Sequence, residues 1–369
     1  MKELALPLRV GFWLAGLLSL LVLVAEVRAD SDGWRKVIRE TPFWESQGVA
    51  ENLKTIRNWV LRGSGYCSDT ERHILFDRRM RFLGYFSNAE DSEKTQQLLN
   101  AQRERLVRLQ RVHQAVPGSA SLIGYPFALA CDQPHVDLPR AVGRMLGAEP
   151  DDLLWGTWDG IKVGTATSPV PLASMIHDLY RKRRAQGVLS FPDDLLPYLF
   201  GQVLIESGGL KMSHSRAQAR GLMQLLPQVL SDCGIAPRHY LHRMAQVDCA
   251  LRLFEQNHRL LAPVFQERFG HLPAEKQEQL YGLLLVQAYH GGIGRVRELL
   301  QDEELGAAAR YFAEHAARFS AQDMALGLVF HNLGRRELGF ASLYYLTDVA
   351  IATEILCRQP QLRSQDWCR

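Results

Sequence analysis

Residues 195–209 read Leu195-Leu196-Pro197-Tyr198-Leu199-Phe200-Gly201-Gln202-Val203-Leu204-Ile205-Glu206-Ser207-Gly208-Gly209. From Leu195 to Ile205 apolar residues occupy nearly every face of a helix, which predicts a helix buried all round. Asp193 or Asp194 is a candidate cap at its start, and the paired glycines are a stop signal. Glu206 therefore falls in the last turn of a buried helix. There the negative end of the macrodipole and partial desolvation both favour the neutral acid. An acid held protonated near neutral pH can donate a proton to a leaving group, as glycosidic bond cleavage requires. The plainer alternative is a solvated carboxylate at the edge of a core.

Downstream, Gly221-Leu222-Met223-Gln224-Leu225-Leu226-Pro227 follows Ser215 and Ala219. A second block reads Ala288-Tyr289-His290-Gly291-Gly292-Ile293-Gly294-Arg295-Val296, and a third Tyr344-Tyr345-Leu346-Thr347-Asp348-Val349. In this order, and together with Glu206-Ser207, the three blocks resemble the signatures of the soluble lytic murein transglycosylases of glycoside hydrolase family 23, a family that includes goose-type lysozymes. The resemblance covers about residues 190–362. It implies a lysozyme-like α-helical catalytic domain over 188–369; the residue pattern elsewhere makes the protein mainly α, with a helical and loop-rich N-terminal region of unknown function over 30–187.

The resemblance also implies roles. Glu206 is the single acid and base, which protonates the glycosidic oxygen and then takes the proton of the sugar's own 6-hydroxyl, so no second carboxylate is required. Ser215 matches a serine beside the acid and the substrate's acetamido group. Met223 and Gln224 match residues of the sugar groove, Tyr289 floors the cleft with its hydroxyl available, and His290 stands beside it. Tyr345 matches the tyrosine that bonds near Glu206, with Tyr344 as the alternative register. Leu222, Leu225 and Leu226 read as core, and Asp232 and Glu255 as surface charges on helices. Two positions depart from the family: Gln218 replaces a glycine, which asks for a different turn, and His290 replaces an asparagine, which brings a group that can titrate near neutral pH. The expected substrate is the glycan strand of peptidoglycan, with no cofactor and no metal. The alternatives are a hydrolytic goose-type lysozyme and a catalytically silent glycan-binding module.

Further out, 47% hydrophobic and 22% charged residues describe a globular chain, and 369 residues suggest two domains. A net charge of +3 is too small to point to nucleic acid. Lys2 and Arg9 precede an apolar run, Val10–Ala25, and Val27-Arg28-Ala29 offers a cleavage site. Residues 1–29 read as a secretory signal peptide, with an uncleaved membrane anchor as the alternative. The destination is then the periplasm or the exterior. In an oxidising compartment the six cysteines can pair, and proximity favours Cys233 with Cys249 and Cys357 with Cys368, leaving Cys67 for Cys131. Buried free thiols are the alternative, and no Cys/His spacing suits zinc.

Ser31 to about His113 is charged and amphipathic. Within it, Leu99, Leu106, Leu109 and Val112 fall near one face of a helix over 98–112, while Arg103, Arg105, Arg108 and Arg111 occupy much of the remainder; a basic helix of this kind can lie on a membrane, and the plainer reading is a solvated helix packed on its neighbours. Val116–Pro171 is rich in turns, with a short strand or two, and helical periodicity resumes at Leu172 almost to the end. Gln186–Pro192 marks the boundary. Membrane or cell-wall proteins are the expected partners of the N-terminal region.

Overall fold

The computed structural model describes residues 33–112, 124–133 and 136–368, so the signal-peptide reading lies outside the described residues. In chain order, α1 (Gly33–Glu40) and α2 (Val49–Arg62) lead into strands β1 (Arg72–Phe76) and β2 (Phe82–Ser87), then α3 (Ser92–Arg108), β3 (Phe127–Ala130) and α4 (Leu138–Leu146). A hairpin of β4 (Gly156–Trp158) and β5 (Ile161–Val163) precedes α5 (Leu172–Ala185). The second half comprises α6 (Leu196–Ser207), α7 (Pro227–Asp232), α8 (Arg243–Phe269), α9 (Ala274–Gly291), α10 (Ile293–Gln301), α11 (Ala307–Glu314), α12 (Ala321–Phe330) and α13 (Phe340–Cys357). The protein is mainly helical, and beyond Leu172 the described residues form helices joined by loops, as periodicity predicts.

Helix α13 is the centre of the second half. It is long and apolar enough to cross a bilayer, yet most of it is buried, against α6, α2, α9 and α12. A helix apolar on all sides must be enclosed by others, and α6 is of the same kind. One contiguous core, from Val37 to Trp367, spans both sides of the 186–192 loop. Buried ion pairs cross it: Arg57 on α2 donates from Nε and Nη2 to Asp348 on α13 at 2.6 and 2.7 Å. Asp248 on α8, fully buried, accepts from Arg183 Nε at 2.6 Å and from the Trp158 indole at 3.3 Å, which fastens α5 and the β4–β5 hairpin to α8. Asp323 both closes the capping box of α12 and accepts from the amides of Gly48 and Ala50, so one carboxylate caps two helices.

Several expectations need correction. The segment before His113 carries two strands: β1 pairs antiparallel with β2 and β3 in the order β2-β1-β3, with Ile74 opposite Tyr85 and Leu129. The turn-rich 116–171 segment also contains α4, started by Asp137, whose side chain accepts from the Arg140 amide. Helix α3 ends at Arg108, which leaves Leu109 57% exposed, while Arg103 is buried and donates to the Pro126 carbonyl at 3.0 Å. Neither Asp193 nor Asp194 caps α6: both lie in a single 3-10 turn before it, and Pro197 in the first turn costs no hydrogen bond there.

The cysteines pair as proximity suggests: Cys67–Cys131, Cys233–Cys249 and Cys357–Cys368, with no free thiol left. Three disulfides are consistent with an oxidising, exported location.

Candidate active site

Helix α6 stops as its sequence predicts, because Gly208 and Gly209 take φ values of 63° and 82°, in the left-handed region that glycine enters without strain. Glu206 stands just before that stop. On the same face and one turn earlier lies Gln202, fully buried. Its Nε2 donates to the Tyr345 hydroxyl at 3.3 Å, and that hydroxyl donates to Glu206 Oε1 at 2.6 Å. Helix α13 thus delivers Tyr345 to the carboxyl. Its neighbour Tyr344 instead lies beneath Arg57, whose guanidinium carbon is 4.9 Å from the ring centroid.

Burial raises the pKa of Glu206 from 4.5 to about 7, against the Tyr345 bond, which favours the ionised form. Among the described residues no second carboxylate contributes to that shift. Part of the residue remains open to solvent. A carboxyl that divides evenly between acid and base near neutrality can both give and take a proton.

The loop after α6 folds back on the end of that helix. The Ser207 hydroxyl donates to the Leu222 carbonyl at 2.8 Å, which draws the loop back against the helix end. Gln246 on α8, fully buried, holds it from behind: Nε2 donates to the Arg220 carbonyl at 3.0 Å and Oε1 accepts from the Met223 amide at 2.9 Å. Gly221 lies so close that a Cβ there would come within 2.1 Å of Gln246 Nε2, so this glycine is required by space as well as by its φ of 68°. Gln224, also at positive φ, turns its amide inward to the carbonyls of Gly221 and Ser213 at 2.8 and 3.2 Å.

The remaining predicted site residues fall at varied distances from these roles. Met223 does not line an open groove: its side chain is fully buried, and its carbonyl accepts the Tyr289 hydroxyl at 2.7 Å. Tyr289 therefore spends its hydroxyl on the loop, and its pKa is raised by burial and by Glu206. Ser215 shapes the turn, with its Oγ accepting from the Ala219 amide at 3.0 Å, and it makes no hydrogen bond to Glu206. Gln218 adopts a left-handed φ of 67°, a conformation glycine would take more cheaply. His290 stacks on Tyr345 with ring centroids 4.3 Å apart, and desolvation, then Arg295, holds its pKa below the ordinary value. Leu222 and Leu225 are core, but Leu226 is 45% exposed.

Glu255 is not a surface charge. It is buried, and although burial raises its pKa, the Ser190 hydroxyl and amide, Arg259 and the Phe191 amide outweigh that and hold it at about 2. It anchors the 188–192 loop and takes no part at Glu206. Asp232 is exposed, as expected. Sequence reasoning quoted Ser207 beside Glu206 without giving it a role, and it missed Gln202, Gln246 and Arg144, whose Nε donates to the Gly208 carbonyl at 2.6 Å. Only Gln202 carried a signal, its four-residue spacing from Glu206.

The raised pKa has a consequence for stability. Between pH 4.5 and about 7 the folded protein holds a proton on Glu206 that the unfolded chain has lost, so stability falls as pH rises through this window and is flat above it. Glu206→Gln removes that penalty of up to about 3 kcal/mol, while its amide oxygen still accepts from Tyr345. The variant is expected to melt above the wild type at pH 8 and level with it at pH 4, as read by calorimetry. Equal melting temperatures at pH 8 would contradict the perturbed pKa.

No family model matches the chain, and a search of curated proteins finds no match. Among the described residues no group of three or more His, Cys, Asp or Glu side chains gathers at metal-binding separations.

Proposed function

We propose that the chain is an exported lytic transglycosylase with a lysozyme-like catalytic domain, acting on peptidoglycan glycan strands. The observation that carries the reading is the Glu206–Tyr345 hydrogen bond: Glu206 and the third sequence block, far apart in the chain, meet there, at a carboxyl whose pKa burial raises to about 7. The Tyr289–Met223 bond ties the second block to the first in the same way.

In this mechanism protonated Glu206 donates to the oxygen of the bond between N-acetylmuramic acid and N-acetylglucosamine. As that C–O bond breaks, positive charge develops on the muramoyl C1. The ionised carboxylate then accepts the proton of the muramoyl 6-hydroxyl, whose oxygen bonds to C1 and closes a 1,6-anhydro ring. No water is consumed, and Glu206 ends the cycle protonated. An attack from within the same sugar gains the large effective concentration of an intramolecular reaction, which makes a second carboxylate unnecessary. The Gln202–Tyr345 chain keeps Glu206 oriented through both steps.

Digestion of purified sacculi is expected to release muropeptides ending in 1,6-anhydro-N-acetylmuramic acid, each lighter by one water than its lysozyme counterpart, as read by mass spectrometry. Reducing-end muropeptides as the main product would establish hydrolysis instead. Intact sacculi, in a preparation that a known muramidase digests, would establish a silent binding module.

A further inference from the structure

A cleft of about 380 Å³ opens on the chain that leaves the Glu206 helix. One wall is the 209–213 segment with Lys211, the other comes from the first half of the chain with Arg144, Asp151 and Asp152, and Arg243 at the start of α8 completes it. The cleft is thus contiguous with the loop of the candidate active site, yet it is built mostly from residues outside the three sequence blocks.

Its charges are disposed to meet a ligand. Among the described residues none of these five groups is held in a salt bridge, although Asp152 accepts from the Glu149 amide at 3.1 Å and acts on Arg243 through space. Arg144 uses only Nε internally, on the Gly208 carbonyl. Its Nη2 lies where a Cβ on Gly208 would approach to 2.8 Å, so the guanidinium is pressed against the end of α6. Arg243 makes one long contact, Nη2 to the Leu153 carbonyl at 3.4 Å, and is half-buried; the nearby charge of Asp152 offsets part of its desolvation, and an incoming anion would offset more. Met212, 59% exposed, adds an apolar edge.

Three cations and two carboxylates in one cleft match neither a neutral sugar nor a simple anion. They match a ligand that bears several carboxylates and an ammonium group on a short backbone. We propose that this cleft binds the peptide stem carried by the muramoyl residue, with Arg144, Lys211 and Arg243 taking its carboxylates and Asp151 and Asp152 the amine of its diamino acid. This inference rests on the peptidoglycan reading above and deepens it, by making the enzyme select peptide-bearing strands.

The test is calorimetric titration of the full chain with the soluble tetrapeptide L-alanyl-γ-D-glutamyl-meso-diaminopimelyl-D-alanine, beside turnover on intact sacculi and on amidase-stripped glycan. Wild type is expected to bind the tetrapeptide and to prefer intact sacculi. Lys211→Ala/Arg243→Ala, or amidation of the peptide's carboxylates, is expected to weaken binding by about tenfold or more. Lys211→Glu, at an exposed position, gives the same reading if the double variant does not fold. No binding by wild type, or equal affinity for the amidated peptide, overturns the proposal. If murein is cleaved but the tetrapeptide does not bind, the cleft assignment falls and the catalytic reading stands. Binding without any cleavage of murein supports the cleft and removes the catalytic reading.

Discussion

Glu206→Gln is expected to lower turnover on peptidoglycan by about 10² to 10⁴-fold while the protein remains folded, the range typical for loss of general acid–base catalysis. The substitution keeps the shape of the side chain and an oxygen to accept the Tyr345 hydroxyl, now 2.6 Å from Oε1, so what it removes is the transferable proton. The same group sets the pH dependence. Because the first step needs protonated Glu206, kcat/KM for the wild type is expected to fall as pH rises through about 7. Release of soluble muropeptides, measured across pH 5 to 9, checks both statements. Activity within a few-fold of wild type in the glutamine variant would remove Glu206 from the chemistry, and a profile flat across neutrality would remove the raised pKa.

The second large effect concerns stability. Arg57→Met is expected to destabilise the fold by about 3–5 kcal/mol, because Asp348 would lose both hydrogen bonds while it stays buried. Burial already raises the pKa of Asp348, and Arg57 opposes that rise. Without the guanidinium the folded-state pKa climbs further, so the loss is largest at neutral pH. It shrinks on acidification, as Asp348 takes up a proton in the folded state. Urea unfolding at pH 7 and pH 4 measures the difference. The double variant Arg57→Met/Asp348→Leu is expected to recover most of the loss, since an apolar pair of similar volume avoids the desolvation of two charges. Asp348 lies one turn beyond Tyr345 on α13, so the single variant is also expected to disturb the Tyr345–Glu206 bond and lower turnover. A single variant as stable as wild type would show that the buried pair contributes nothing net.

Several features were legible because they depend on neighbouring residues alone. The apolar run before Glu206 has no polar face to offer water, so it had to be buried, and the two glycines that follow had to end it. The same local logic marked the helices after Leu172 and paired cysteines that lie close in the chain. The misread segments are those where local pattern is ambiguous. Strand β1, Arg72-His73-Ile74-Leu75-Phe76, is too short and too mixed to show alternation among charged neighbours, and only its pairing with Phe82–Ser87 and Phe127–Ala130 makes it a strand. Arg103 and Glu255 look like surface charges in sequence because arginine and glutamate usually are. Each is buried because a distant partner, the Pro126 carbonyl or the Ser190 turn, satisfies it.

Sequence by itself determined that this chain is mainly helical, that Glu206 ends a buried helix, and which cysteines are near enough along the chain to join. Tertiary structure alone decided what Glu206 meets. Adjacent residues on a helix point about 100° apart, so whether Tyr344 or Tyr345 reaches the carboxyl depends on how α13 is rotated against α6. Arg57, by holding Asp348 and lying over Tyr344, is part of that rotation. Likewise Gln246 and Arg144 act through carbonyls of a loop and a helix end that they approach only in the folded chain. Periodicity records which face of an element avoids water, but it carries no record of which other element will cover that face.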